Sequence, residues 1–238
     1  MKKTKEQIKK ELANQYYGEE AEEYDTNRSE DPRRQAVIDI QKKITLDFLK
    51  NAGGKNILDV ACGTGRFFEL YGDRKIYGID ISSEMLKQAA KRRGVKKVLV
   101  ADAEHIPFKD NTFDVVSTSQ FIMHTPFYTN VIKEMTRVSK KGGSIIIDFP
   151  NKFSLSYFFT KRRIASGTFR HYNLFKMSEI EALAKQNNLL MKEIRHTVVF
   201  TPMMFPKSWT SFSMKLNKIL IKILPFFTYV RYVRFIKQ

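Results

Sequence analysis

The sequence predicts an α/β protein built on a doubly wound, mostly parallel sheet of seven strands with helices on both faces. Two observations carry that reading. Short apolar runs alternate with helical segments from residue 32 onward, the pattern of parallel strands covered on both sides. The first run, Asn56 to Val60, turns through Cys62-Gly63-Thr64-Gly65 toward a helix, and a turn so tight calls for glycine.

The elements follow in order. Residues 1–30 are polar and helix-prone. Asp31-Pro32 gives an N-cap with proline at the first helical position, and Val37, Ile40, Ile44 and Phe48 share one helical face as far as Lys50. Asn51-Ala-Gly-Gly stops that helix. Strand 56–60 precedes a helix near 66–71. Strand 75–79 precedes a helix opened by Ser82 or Ser83 and ended before Gly94. Lys97 to Val100 is a third strand, and Phe113 to Thr118 a fourth. Helix 127–139 leads through Lys141-Gly142-Gly143 to a fifth strand, Ser144 to Phe149. Residues 150–176 are rich in Phe, Tyr, Lys and Arg without periodicity. Helix 177–187 and strand 189–200 resume the alternation, helix 208–224 follows Pro206, and the segment from Thr228 forms a closing strand.

At 238 residues the chain fits one such domain. A single cysteine excludes a disulfide framework, and Cys62 with four histidines offers no metal-ligand cluster, so no metal is expected. Cys62 reads as a small packing residue of the turn. No apolar segment follows the polar N-terminus and no run is long enough to span a bilayer, so a cytoplasmic protein is expected. The net charge of +17 implies an anionic partner, and +13 of it lies from Phe149 onward, with no acid after Glu193.

Polar residues stand at the carboxyl ends of the first four strands, where open α/β sheets bind ligands. Asp59, Gly63 and Gly65 follow the first strand, and Asp59 can accept a hydrogen bond from an ammonium group. Asp80 ends the second, where a carboxylate can accept both ribose hydroxyls. Asp102-Ala103 follows the third and Ser119-Gln120-Phe121 the fourth. A nicotinamide enzyme is disfavoured because Asp59 precedes the glycines and no Gly-x-Gly-x-x-Gly is present.

The motifs Ile57–Gly65, Gly78–Ser82, Ala101–Phe108 with Asn111-Thr-Phe-Asp-Val-Val, and Arg137-Val-Ser-Lys-Lys-Gly-Gly resemble those of the class I S-adenosylmethionine-dependent methyltransferases. The sub-pattern is similar to that of the ubiquinone/menaquinone and small-molecule group, over roughly residues 16–195. Ala61 stands where that family often has a first glycine. The resemblance implies a Rossmann-like fold and a methyl donor, S-adenosylmethionine, released as S-adenosylhomocysteine. It places the donor's methionine end at Asp59, Ala61 and Gly63, its ribose at Asp80, its adenine at Ile81, Asp102 and Ala103, and the methyl group near Ser119. It also implies that residues 1–50 form a helical cover bringing Tyr24, with Arg28, over the donor. His124 is the candidate for taking a proton near neutral pH, with a helix-capping role as the alternative. His171-Tyr172 is a second candidate, and His105 and His196 read as surface or packing residues. The insertions 150–176 and 203–226 are expected to form an acceptor lid.

The basic tail admits three readings. Trp209, Phe212, Leu216, Ile219, Leu220 and Ile223 share a helical face opposite Lys215, Lys218 and Lys222, which suits an anionic membrane surface and a lipophilic acceptor. Interleaved basic and aromatic residues also suit nucleic acid. In the third reading the apolar face packs on the sheet and the lysines face water. Packing on the sheet is the expectation for the helix, and a small or lipid-like acceptor is preferred to RNA because the tail is greasier than a phosphate-tracking surface requires. A donor-binding protein without catalysis is the remaining alternative.

Overall fold

The computed structural model describes residues 7, 21, 23–157, 161 and 172–238. The Arg28 side chain, His171 and much of the 1–50 and 150–176 segments lie outside the described residues. Seven strands form one sheet: β1 (Asn56–Val60), β2 (Lys75–Asp80), β3 (Val95–Val100), β4 (Phe113–Ser117), β5 (Ser139–Pro150), β6 (Leu189–His196) and β7 (Val230–Lys237). Their spatial order is β3-β2-β1-β4-β5-β7-β6. The first five pair in parallel, and β7 runs antiparallel to both β5 and β6. The described helices are α1 (Tyr24–Ser29), α2 (Pro32–Lys50), α3 (Ser83–Ala90), α4 (Tyr128–Val138), α5 (Met177–Gln186) and α6 (Thr210–Ile223).

Alternation along each strand divides the core in two. Leu58, Val60, Val116, Ile145 and Ile147 meet α4 and α5 through residues such as Val131, Met135, Ile180 and Ala184. Ile57, Val115 and Ile146 meet Ile44 and Phe48 of α2, Leu86 of α3, and the aromatic pair Phe68 and Tyr71. Both faces are covered, as the unbroken apolar runs require. Caps mark two of the helices. Asp31 accepts from Arg33 N at the start of α2, and Ser82 Oγ from Met85 N at the start of α3.

Several elements differ from the sequence reading. The helix expected near 66–71 is a 3₁₀ turn, Phe68–Tyr71, closed by Gly72 at φ 60°. Left-handed glycines, Gly65 and Gly72, stand on either side of it. Strand β5 begins at Ser139, because the Gly142-Gly143 segment is absorbed in a register shift against β4. Strand β6 stops at His196. The last strand does not close an edge but lies between β5 and β6. Helix α6 does not pack its apolar face on the sheet: its buried residues are Ser213 and Asn217, while Trp209, Phe212, Ile219 and Ile223 are exposed.

No described helix is long and apolar enough to cross a membrane. From β1 the chain fills β2 and β3 on one side before returning to β4 on the other. That reversal opens a crevice at the carboxyl ends of β1 and β4.

Candidate active site

The turn after β1 forms the floor of the crevice. Ala61, Gly63 and Gly65 hold φ of 55°, 55° and 69°. Ala61 carries a Cβ into left-handed backbone, at about 1 kcal/mol, which is why glycine also suits that position. The two glycines serve different needs. A Cβ on Gly65 would meet the Phe68 ring at 2.8 Å, so this residue keeps the turn against the core. A Cβ on Gly63 would meet nothing within 4 Å, so that side of the backbone is open to a ligand. Cys62 is held inside the turn, with its sulfur 2.8 Å from where a Gly78 Cβ would lie, and burial pushes its thiol well up. It packs and does not act as a nucleophile.

A cleft stands over this floor, lined by residues that include Tyr24, Asp59, Ala61, Gly63, Arg66, Ser119, Gln120 and His124. Asp59 is almost wholly buried, and burial pushes its carboxyl up to about 7, although the Tyr71 hydroxyl donates to Oδ2 at 2.7 Å. Across the cleft, Arg66 donates to Gln120 Oε1 at 2.9 Å and lies over the Phe67 ring. Gln120, itself at φ 58°, donates its backbone N–H to Asp148 Oδ1 at 2.8 Å and its amide to Gln41 at 2.9 Å. Asp148 is fully buried, its other oxygen has no hydrogen-bond partner among the described residues, and burial raises its carboxyl to about 7. The Ser119 and Tyr232 hydroxyls are 3.1 Å apart.

Tyr24 reaches the cleft because its neighbour is tied down. Asp25 accepts from Thr64 Oγ1 at 2.9 Å and pairs with Arg92, linking α1 to the glycine turn and to the residues after α3. Sequence reading missed Asp25, Arg66 and Asp148, and placed Gln120 only at the end of the fourth strand without a role of its own. The signal for Asp148 was present: an acid inside Ile145-Ile-Ile-Asp-Phe is out of place in a strand buried on both faces.

Asp80, Ile81, Asp102 and Ala103 stand at the neighbouring strand ends, outside the wall of this cleft. The Asp80 carboxylate accepts from Gly63 N at 2.8 Å and Ser82 N at 3.0 Å. The cap of α3 is Ser82, so Asp80 is free of that duty. Ile81 is an exposed aliphatic side chain, and Asp102 accepts from Glu104 N at 2.9 Å beside the buried Ala103.

A second cavity adjoins the first, and Gln120 and His124 line both. Its wall is mixed: Val37 and Ile38 of α2, Met123, Met203 and Val230 are apolar, and Arg34, Gln41, Thr201, Tyr172 and Tyr229 add polar groups. The His124 ring meets Tyr172 edge-on at 5.5 Å, and the Tyr172 and Tyr229 hydroxyls are 3.2 Å apart. His105 is exposed beside Asp102, and His196 bonds Thr228 Oγ1 at 2.9 Å, its pKa lowered by burial. Neither lines either cavity. No cluster of three or more metal-ligating side chains occurs among the described residues.

Residues 58–147 match the family described as a methyltransferase domain. A demethylmenaquinone methyltransferase of Bacillus mycoides is 34% identical over 156 residues, covering 59% of this chain and 63% of that protein. A phosphatidylethanolamine N-methyltransferase of Cereibacter sphaeroides is 35% identical over 126 residues, covering 50% and 57%. The chain therefore spans less than two thirds of the length of these relatives. In fold it is similar to a SAM-dependent methyltransferase of Thermotoga maritima, with a TM-score of 0.66 and 19% identity over 96% of this chain and 99% of the other. From the first strand to the fifth, residues 58–147 thus match a methyltransferase domain by sequence, and nearly the whole chain is similar in fold to a SAM-dependent methyltransferase.

Proposed function

We propose that the protein transfers a methyl group from S-adenosylmethionine to a small lipophilic acceptor, by O- or C-methylation, releasing S-adenosylhomocysteine. The observation that supports this most is the meeting of two unlike cavities at Gln120 and His124, one charged and glycine-floored, the other richer in apolar side chains (Val37, Ile38, Met123, Met203 and Val230). The names of the two relatives, which specify a quinone precursor and a phospholipid, favour a lipid-like acceptor over nucleic acid.

The residues present fit the donor. Its amino-acid end is a zwitterion, and the first cleft offers Asp59 for the ammonium and Arg66 for the carboxylate, with the open face of Gly63 between strands. Each Asp80 oxygen accepts one backbone hydrogen bond and retains a lone pair for a ribose hydroxyl. Exposed Ile81 supplies an apolar face for adenine, with Asp102 and Ala103 beside it. When bound, the sulfonium supplies an already activated methyl group, so the protein's work is mainly positioning, and no metal is called for. Ser119 and Tyr24 bound the space where the methyl group would lie. His124, at the boundary of the two cavities, is placed to take a proton from a hydroxyl acceptor. The whole chain works as one methyltransferase domain, with residues 1–50 as its cover. The segments 150–176 and 203–226 act as the acceptor lid, a role supported by Tyr172 and Met203 in the wall of the second cavity. An acceptor of this kind resides in a membrane, which puts the protein at the cytoplasmic face of an anionic bilayer.

Calorimetry tests the donor half. The wild type binds S-adenosylmethionine, and Asp80→Ala weakens binding about 50-fold or more, the loss of two charge-assisted hydrogen bonds. Absence of donor binding to the wild type refutes the proposal. Mass spectrometry of a lipid extract incubated with enzyme and labelled donor identifies the acceptor by its added methyl group.

A further inference from the structure

Helix α6 is fastened to the protein by its polar side. Ser213 and Asn217 are 0% and 1% exposed. The Asn217 side chain acts as a clamp on the strand-to-helix connection. Its Oδ1 accepts from Val199 N at 2.8 Å and Phe200 N at 3.0 Å, while Nδ2 donates to Phe200 O at 2.9 Å and Ser213 O at 2.8 Å. A surface helix of a globular protein ordinarily does the reverse, burying its apolar stripe. Here that stripe is left in the open. Trp209, Phe212, Ile219 and Ile223 recur at helical spacing and are 54%, 55%, 59% and 67% exposed. Phe226, just past the helix, stacks on exposed Phe153 at 5.1 Å and extends the patch. Lys215, Lys218 and Lys222 form a second exposed row beside the stripe.

We propose that this face of α6 docks on an anionic lipid bilayer, with the apolar stripe at the acyl boundary and the lysine row among the headgroups. Contiguous apolar surface of this kind marks an interaction site, and the charge around it selects the occupant. No acid follows Glu193 in the chain, so a second copy would set one lysine row against another. Lysines flanking an apolar stripe that carries a tryptophan match the chemistry of a negatively charged interface. The connection into α6 also borders the acceptor cavity, since Thr201 and Met203 form part of that cavity's wall. This inference rests on the lipophilic-acceptor reading only for its purpose, since docking itself requires neither donor nor acceptor.

The protein carries its own probe, because Trp209 is its sole tryptophan. The test is flotation with phosphatidylcholine vesicles, with and without phosphatidylglycerol, while Trp209 emission is recorded. The expected result is flotation with the anionic vesicles and a blue shift of the emission. The Phe212→Ser/Ile219→Ser variant should lose at least about tenfold in partitioning. Neutralising the lysine row as Lys215→Gln/Lys218→Gln/Lys222→Gln should weaken binding to anionic vesicles by about 100-fold. All five side chains are exposed, so unchanged thermal melting verifies that the variants fold. An unshifted emission with no flotation at low salt overturns the proposal, as does flotation that survives both variants. Self-association without lipid that buries Trp209 assigns the face to a second copy and also overturns it. Calorimetry with S-adenosylmethionine on the same samples separates this outcome from the methyl-transfer reading. Flotation without donor binding refutes only the latter, and donor binding without flotation refutes only the docking.

Discussion

In the proposed donor site, Asp59 is expected to tie donor binding to pH. Its carboxyl stands near 7 because it is buried and lies close to the Asp80 charge, which together outweigh the Tyr71 hydrogen bond and the Arg66 charge. The ammonium of the donor favours the ionised form, so binding must expel the proton wherever Asp59 still holds one. Affinity therefore rises with pH up to about 7 and then levels. The ionised fraction climbs from roughly 3% at about pH 5.5 to roughly 75% at about pH 7.5, a gain of about 25-fold or ~1.9 kcal/mol. The perturbation is Asp59→Asn, which leaves the Tyr71 contact a carbonyl acceptor but removes the titration. The assay is calorimetry across that range in two buffers of different ionisation enthalpy, which counts the protons released. Asp80, also raised by burial, titrates in both proteins, so the difference between them isolates Asp59. A wild-type affinity that is flat over the range, or an Asn variant that keeps the slope, refutes the reasoning.

Two further outcomes separate packing from ligand approach and burial from charge. Gly65→Ala drives a Cβ into Phe68 at positive φ and should destabilise by about 2–4 kcal/mol. Gly63→Ala meets only the backbone penalty of about 1 kcal/mol, yet should lose donor affinity. Urea melts with calorimetry would show identical behaviour of the two variants if this division is wrong. Asp148 retains its proton to about 7 in the folded state and loses it near 3.8 when unfolded, so the native state binds more protons in between and stability falls as pH rises through that window. Asp148→Asn should therefore match the wild type near pH 4 and exceed it by on the order of 2–4 kcal/mol at about pH 8. A constant difference at both pH values would contradict that account.

The elements that were legible in the sequence are those whose signals are local. Asp31-Pro32 starts α2 and Ser82 starts α3, and the apolar runs of β1, β2 and β4 announce strands covered on both faces. Periodicity also showed an apolar stripe on residues 208–224. It could not show which side is fastened to the protein, because that depends on Asn217 finding Val199 and Phe200. The place of β7 was hidden for the same reason, as pairing partners are set by the whole sheet. At the site, Asp59, Ala61, Gly63, Ser119, His124 and Tyr24 come together around one cleft, whereas Gly65 faces the core and Asp80, Ile81, Asp102 and Ala103 stand at the adjoining strand ends. Motif reading reached residues at strand termini. It missed Arg66 and Asp148, whose importance comes from what surrounds them in space.

Strands β6 and β7 are antiparallel neighbours, a relation that a hairpin of a few residues satisfies. This chain instead inserts residues 197–229 between them, including all of α6. Closing a longer loop grows only slowly more costly with length. The sheet therefore tolerates this detour as a replaceable cassette. Exchanging residues 197–229 for those of a related methyltransferase would replace the exposed face of α6 and reshape one wall of the second cavity, to which Thr201, Met203 and Tyr229 contribute. The glycine turn and the register of all seven strands would stay as they are.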